Sequence, residues 1–424
     1  AAPESVLAGL RNAQESLDPT DPRSGAVKAV VAAVYELQGQ TQRSIENYRA
    51  AIATNPNNVD ALRGLARLSI QQGKTNEAGQ WLAKAEAAGA NADDLDIDRT
   101  AYLMAIGDME GATKAIGRYT SNNKDSAVGW AMLGMLEIEK GNIDRASGFI
   151  LQNIKRTAEK RDLYFLHILE GRLAQYEGDK SWKLSQDETA IPSAVARADA
   201  AKRATKLWDD ARKQYRRAYA IRPNVKGLLE QILEFDRRLA DKESAEADAL
   251  ALLREDTRHP FANFIVGSQR LEDGHVETSI KYFRIAVEGM EKPTNDLLNN
   301  YADALARTPQ TDLAKEIALK ALTQLPENWA AWGTYALALA RGDEAEKART
   351  AVEKSRDYLA KAVAAGEVPA IVGARLGYVD CWIALKQGNK AAAAGSLAKL
   401  KEALGSTLTP LDTRDIQEIE AALQ

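Results

Sequence analysis

The chain contains few of the residues that usually carry chemistry. It has one cysteine, Cys381, and three histidines, His167, His259 and His275, among 424 residues. A single cysteine cannot form an intramolecular disulfide, and none of these four residues has a second His or Cys at the spacing of a zinc site. A nucleophilic cysteine would also need a histidine nearby as its base, and none is expected. The sequence therefore indicates no metal, no cofactor and no enzyme.

The chain also lacks a basic excess and a long apolar run. It carries 56 Lys and Arg against 60 Asp and Glu, whereas a nucleic-acid reader usually has a basic stripe. The longest apolar candidate, Trp329 to Ala340, is about half of the roughly 20 residues that span a bilayer. The acidic run from Asp94 to Asp98 begins like a calcium loop, but Arg99 and Ala105 stand where that loop requires Gly and Glu. We expect no nucleic-acid partner, no transmembrane segment and no calcium site.

What the chain does contain is a repeat with a step of 34 residues. This step separates Gly39, Gly73, Gly107 and Gly141. A fixed period of this length is typical of stacked helical hairpins, in which glycine permits the tight turn between two helices. The fourth repeat carries the string Trp130, Leu133, Gly134, Gly141 and Ala146. In these residues the chain resembles the tetratricopeptide repeat family.

The resemblance implies an all-α fold, a right-handed α-solenoid of about ten helix-turn-helix units with terminal capping helices. The predicted organisation is an N-terminal capping segment over 1–24, four units over 25–160, a fifth unit over 161–223, further units over 224–404 and a C-terminal capping helix over 405–424. The caps themselves are predicted as helices over Glu4–Leu17 and Asp412–Leu423. No segment is left that is long enough for a separate catalytic domain.

The period breaks once, in the fifth unit. The residues Ala146 and Ala211 are 65 apart instead of 34, which predicts an insertion over about 179–206 between the paired helices. We expect this insertion to begin as a polar loop that includes Trp182 and to become helical from Ser193. Its candidate binding residues are Trp182, Arg197, Lys202, Arg203 and Lys206. A basic helical stretch can dock on an acidic partner or a membrane surface, and the alternative is a solvated face.

In the tetratricopeptide repeat family the first helix of each pair, here called the A helix, lines the binding face. The resemblance places Asp60, Arg63, Arg67 and Gln71 on this face in the second repeat. Two arginines four residues apart on one helix can grip a carboxylate, because guanidinium groups bind carboxylates in a bidentate manner. The alternative is an exposed arginine ridge without a ligand.

Aromatic residues on other A helices are further candidates for a binding face. Tyr378 and Trp382 lie four residues apart in the last repeat, and Phe261 and Phe264 lie in the seventh. Large aromatic side chains that face a groove can anchor a peptide or a sugar. The alternative is that they are covered, in the last repeat by the C-terminal cap.

The favoured function is a non-catalytic scaffold that binds a protein or peptide segment in its groove. The first residues, Ala-Ala-Pro, resemble the end that remains after a secretory signal is removed. We therefore expect an exported, periplasmic protein of a bacterial envelope assembly for secretion, pilus formation or exopolysaccharide export, and the alternative is a cytoplasmic protein. Two other functions stay open, a guide for a carbohydrate polymer and a regulatory domain of a larger protein. The oligomeric state is not indicated.

Overall fold

The computed structural model of the chain describes residues 7–10, 12–13, 16–18, 21–157, 163–223, 225, 227–366 and 368–424, without the side chains of Pro22, Phe149 and Thr157. No β-strand occurs in these residues, so the predicted all-α class is confirmed. The predicted cap over Glu4–Leu17 and the predicted boundary at residue 160 lie partly or wholly outside the described residues. Residues 7–10 and 12–13 of that cap are helical.

Two compact units, residues 1–240 and 241–424, divide the chain. The helices of the first unit are α1 (Pro22–Leu37), α2 (Thr41–Thr54), α3 (Val59–Gln71), α4 (Thr75–Ala87), α5 (Ala92–Ala105), α6 (Met109–Asn122), α7 (Ala127–Glu139), α8 (Ile143–Arg145, continued by a π-helical turn over Ala146–Ile150 and by Leu151–Thr157), α9 (Leu163–Gln186), α10 (Ala194–Ile221) and α11 (Leu228–Arg238). Successive helices pack as antiparallel pairs, α1 with α2, α3 with α4 and onward.

The second unit repeats this arrangement. Its helices are α12 (Lys242–Glu255), α13 (Pro260–Glu272), α14 (Val276–Gly289), α15 (Asn295–Ala306), α16 (Thr311–Gln324), α17 (Trp329–Arg341), α18 (Ala345–Ala364), α19 (Gly377–Lys386), α20 (Lys390–Leu404) and α21 (Pro410–Leu423), with 3-10 turns over Ala370–Leu376 and Gly405–Thr407. The A helices of its last four pairs are α13, α15, α17 and α19.

The turn between the two helices of a pair needs a backbone with positive φ. Gly73 adopts a φ of 71°, a conformation that glycine reaches at little cost because it has no Cβ. Gly73 stands five residues before the buried Ala78, and Asp343 stands five residues before the buried Ala348. Asp343 has a φ of 66°, which aspartate tolerates better than most residues. The turn geometry therefore persists where the sequence does not supply glycine.

The predicted insertion begins within a helix and has a short connection over 187–193, after which a helix starts at Ala194 with Ser193 as its N-cap, close to the expected position. The helix α9 continues unbroken to Gln186, so Trp182 lies within a helix and the expectation of a polar loop there is wrong. Ser181 and Gly178 face α10, with Ser181 donating its hydroxyl to the carbonyl of Ala200 at 2.9 Å. Small residues at this contact let the two helices approach closely, so both continue side by side beyond it. The extra residues thus lengthen an ordinary hairpin by several turns.

Candidate functional site

The two arginines predicted to bind a ligand lie on the A-helix face of the first unit. Arg63 donates from Nε to Asp98 of α5 at 2.5 Å, and its Nη1 lies 3.0 Å from Asp94. Arg67, one turn later on α3, lies 3.2 Å from Glu36 of α1. Both guanidinium groups therefore already hold carboxylates of neighbouring repeats. They form cross-links between A helices instead of the free carboxylate-binding pair that the sequence suggested.

Burial makes these cross-links matter for stability. Asp98 is 2% exposed, and desolvation raises the pKa of its carboxyl, while the hydrogen bond and charge of Arg63 oppose that rise. Glu36 also accepts a hydrogen bond from the hydroxyl of Tyr48 at 2.8 Å. Burial, with the negative charge of Glu36, raises the pKa of Tyr48. A line of ion pairs thus connects three successive A helices, α1, α3 and α5.

The other two residues predicted for this face are open to solvent. Asp60 and Gln71 are exposed and lie at the two ends of α3. Asp60 stands in the first turn, where a carboxylate is favoured by the helix dipole. All four predicted residues therefore lie on α3. Asp60 and Gln71 are exposed at its ends, and Arg63 and Arg67 between them form ion pairs.

Next to these ion pairs the A-helix face becomes apolar. Ile97 and Met104 of α5 and Met135 of α7 are half-buried and pack on the core beneath them. Four of the five methionines of the chain lie between residues 104 and 135. Methionine is flexible and polarizable, and it is common on surfaces that adapt to different partners. Sequence reasoning missed this patch, although the clustering of methionines was a visible signal.

In the second unit α21 lies against the C-terminal ends of the A helices. At one end of α21, Arg414 lies 3.6 Å from Glu277 at the start of α14. At its other end, Lys390 of α20 donates to the carbonyl of Leu423 at 2.9 Å. Between these points α21 passes over these ends of the A helices, so it is more than a cap on the last pair.

Three arginines of the A-helix side bind the acidic residues of α21. The ion pairs are Arg307–Asp415 at 2.8 Å, Arg341–Glu418 at 2.6 Å and Arg375–Asp412 at 2.8 Å. Burial raises the pKa of Asp415 in spite of the charge of Arg307. Burial also acts to raise the pKa of Asp412, but hydrogen bonds from Arg375 and Thr409 outweigh it and leave that pKa below its usual value. These pairs fix α21 along its length.

The covering helix changes the interpretation of the predicted aromatic site. Tyr378 is 3% exposed and donates its hydroxyl to Asp412 at 3.0 Å. The guanidinium of Arg341 lies 4.3 Å from the ring centroid of Trp382. Tyr378 therefore does not face an open groove, and the alternative that the C-terminal cap covers it is the one that the structure has. Phe261 and Phe264 of α13 are half-buried, and Phe264 packs against the core of its own pair.

A comparison with known families agrees with this architecture. Residues 37–96 match the model of the tetratricopeptide repeat. This stretch begins at the end of α1 and contains the pairs and turns whose geometry recurs in both units. The chain contains tetratricopeptide repeats. No curated protein matches it in sequence.

Solved structures that resemble this tetratricopeptide repeat protein share little sequence with it. The human IFIT1 dimer with m7Gppp-AAAA has a TM-score of 0.49 at 13% identity, over 82% of this chain and 72% of that chain. YrrB, a TPR protein with an unusual peptide-binding site, has a TM-score of 0.33 at 14% identity, over 49% and 97%. The APC/C hetero-tetramer Cut9–Hcn1 has a TM-score of 0.36 at 11% identity, over 92% and 95%.

The long hairpin α9–α10 of this tetratricopeptide repeat protein holds the residues predicted for the insertion. Arg197 binds Glu188 at 2.9 Å and the carbonyls of Ile191 and Pro192, so it closes the tip of the hairpin. Trp182 is 41% exposed, and its ring centroid lies 5.4 Å from that of Trp208. The remaining three are Arg203, which pairs with Glu177 at 3.4 Å, and the exposed Lys202 and Lys206. The predicted residues therefore belong to both helices of the hairpin, Trp182 to α9 and the four basic residues to α10.

Tetratricopeptide repeats typically serve as non-catalytic scaffolds. Cys381 is fully buried, and burial together with the neighbouring Asp380 raises the pKa of its thiol to about 12, which disfavours the reactive thiolate. No group of three or more His, Cys, Asp and Glu residues is placed to hold a metal within the described ranges. In the same part of the chain, no helix combines the length and apolar character needed to cross a membrane.

We expect Arg63→Ala to lower the free energy of unfolding of the first unit by about 3 kcal/mol, because it leaves the buried carboxylate of Asp98 without its main partner. Asp60→Ala on the same helix is the control, and its exposed position predicts a change within about 0.5 kcal/mol. Urea unfolding followed by circular dichroism measures both variants. Equal stability of the two would mean that the pair of Arg63 with Asp98 does not stabilise the unit.

Proposed function

We propose that this tetratricopeptide repeat protein is a scaffold that binds an amphipathic helical segment of a partner protein on the A-helix face of its first unit. The repeat fold by itself suggests protein–protein interaction. The observation that supports a helical ligand is α21, an amphipathic helix of the chain that lies against the C-terminal ends of the A helices in the second unit. The A-helix side of a unit thus accepts a helix in this chain.

The apolar patch on the first unit has the properties of a receptor for such a helix. Ile97, Met104, Val128 and Met135 are all half-buried side chains of A helices. A helix that binds in a groove inserts apolar side chains at spacings of three and four residues. Methionines can repack around such side chains, which suits a scaffold that binds more than one partner. The partner is therefore expected to present an apolar stripe, with its polar side facing solvent.

The test places charges in the middle of this patch. We expect the double variant Met104→Glu, Met135→Glu to lose the proteins that co-purify with the unmodified chain, since burying an unpaired carboxylate against an apolar helix is costly. The matched control is Ser121→Glu, Ser147→Glu, which adds the same charge at exposed positions of α6 and α8. Circular dichroism melts establish that both variants are folded.

Two outcomes decide the proposal. A photo-crosslinking amino acid at position 135 should label helical segments of the co-purified proteins, identified by mass spectrometry, and one at position 121 should not. Retention of the same proteins by the folded methionine variant would refute binding at this face.

The cellular setting is also part of this proposal. An exported protein in a bacterial envelope assembly for secretion, pilus formation or exopolysaccharide export stays a prediction, and fractionation of cells that express the full gene decides it. Recovery with the cytoplasm would contradict it.

A further inference from the structure

A second surface of the first unit has the features of a ligand site. Two cavities lie between α2 and α4, on the helices that alternate with the A helices, and both are lined by Trp81. The larger has a volume of about 320 Å³ and the smaller about 110 Å³. The larger one is within the range of roughly 300–1,000 Å³ that is usual for ligand pockets. This surface does not include the residues of the A-helix face.

The two sides of Trp81 differ in polarity. The larger cavity is mainly apolar, lined by Ile52, Pro56 and Leu62. The smaller has Ile45, Leu65 and Leu68 at its floor and the polar side chains of Gln42, Ser69 and Gln72 around them. Trp81 is half-buried, and the positions 34 residues before and after it hold Asn47 and Ala115. The packing of these neighbouring repeats therefore does not demand a large aromatic side chain at this position. An indole between two recesses offers a flat surface against which a ligand side chain can pack on either side.

The rim of the cleft is basic. Arg49, Lys74 and Lys84 line it together with one acidic residue, Glu77. The ammonium of Lys84 lies 4.5 Å from the ring centroid of Trp81. Among the residues that the structure describes, none of these three cations has a carboxylate partner. This differs from the arginines of the A-helix face, which are paired with acids of neighbouring repeats.

We propose that this cleft binds an acidic peptide segment that carries two apolar side chains. Each apolar side chain enters one of the two cavities beside Trp81, and flanking carboxylates meet Arg49 and Lys84. A peptide fits better than a compact small molecule because the apolar space is divided into two recesses along the cleft. Charge complementarity selects acidic flanks, since the rim presents three unpaired cations against one carboxylate. The site is independent of the helix-binding face proposed above.

The test uses a blocked pentapeptide, acetyl-Glu-Phe-Glu-Leu-Glu-amide, titrated into the full chain by calorimetry. Two variants address the two components of the site. Arg49→Glu with Lys84→Glu reverses the rim charge at exposed positions, and Ala87→Phe fills the larger cavity from its exposed edge without removing a core side chain. Each is expected to weaken binding at least about tenfold, because close charge pairs and apolar contact both contribute to affinity. The control is Lys124→Glu, an exposed position on the α6–α7 connection, with an expected change below about twofold.

The ligand side is tested with two further peptides. Replacing Glu by Gln tests the charge, and replacing Phe and Leu by Ser tests the cavities; both are expected to bind at least about tenfold more weakly. The proposal is overturned if the unmodified chain does not bind the acidic peptide at millimolar concentration. It is also overturned if Ala87→Phe, folded by circular dichroism, binds as well as the unmodified chain, or if the Gln peptide binds as tightly as the Glu peptide.

Discussion

Replacing Arg307 by methionine should lower the free energy of unfolding of the second unit by about 4 kcal/mol. Arg307 is 8% exposed and binds two carboxylates, Asp415 of α21 and Asp303 one turn earlier on its own helix. Methionine keeps most of the side-chain volume, so the loss comes from the carboxylate of Asp415, whose remaining cation among the residues that the structure describes is Arg414 at 3.5 Å. Urea unfolding measures the loss. Amide hydrogen exchange over 410–423 should accelerate as well, since α21 is anchored at this arginine.

Two further variants separate the lost ion pair from the lost side chain. Asp415→Leu added to Arg307→Met should recover part of the stability, because a well-packed apolar pair can replace a buried ion pair at little cost. Arg258→Met is the control, since the pair of Arg258 with Glu288 is exposed and is worth about 1 kcal/mol or less. If Arg307→Met is as stable as Arg258→Met, Arg307 does not hold α21 in place.

The ion pairs of α21 also explain why this helix lies where it does. Ile416 and Ile419 are buried, and they share one face of the helix with the buried carboxylates of Asp412 and Asp415. A helix with acids on its buried face is stable only where cations meet them, and the A-helix side of the second unit supplies those cations. The match of charges therefore specifies where this helix lies, while apolar contact alone would fit many positions.

Features that depend on local backbone geometry could be predicted from the sequence. The 34-residue step of the turn glycines identified the helical pairs. The turn between the two helices of a pair needs positive φ, and this requirement selects glycine at the same position in successive repeats. The same reasoning did not predict the turn at Asp343, where the geometry is kept without glycine. The period also marked the place of the long hairpin, but not its form. Whether extra residues fold as a loop or extend two helices depends on contacts such as Ser181 with Ala200, which no period encodes.

The partners of charged side chains were beyond prediction for a similar reason. Arg63 and Arg67 were expected on the A-helix face and lie there, yet their acids Asp98 and Glu36 come from other repeats, 35 and 31 positions away in sequence, respectively. The pattern of one helix cannot show which carboxylate of a neighbouring helix comes within reach. For α21 the signal was present: Asp412 and Asp415 fall on the same face as Ile416, and acids on an apolar face indicate cations in the covered surface.

Replacing either of two glycines of the first unit by alanine should change its stability, in opposite directions at the two positions. A Cβ on Gly64 of α3 would lie 2.3 Å from the ring of Tyr48, which is 1% exposed and cannot move aside without disturbing the core. Gly64→Ala should therefore destabilise the unit by about 3 kcal/mol. Gly117, inside α6, has no atom within 4 Å of such a Cβ, so Gly117→Ala should stabilise by about 0.5–1 kcal/mol through the lower helix propensity of glycine. Thermal melts give both signs, and a stable Gly64→Ala variant would mean that α2 and α3 do not approach each other this closely.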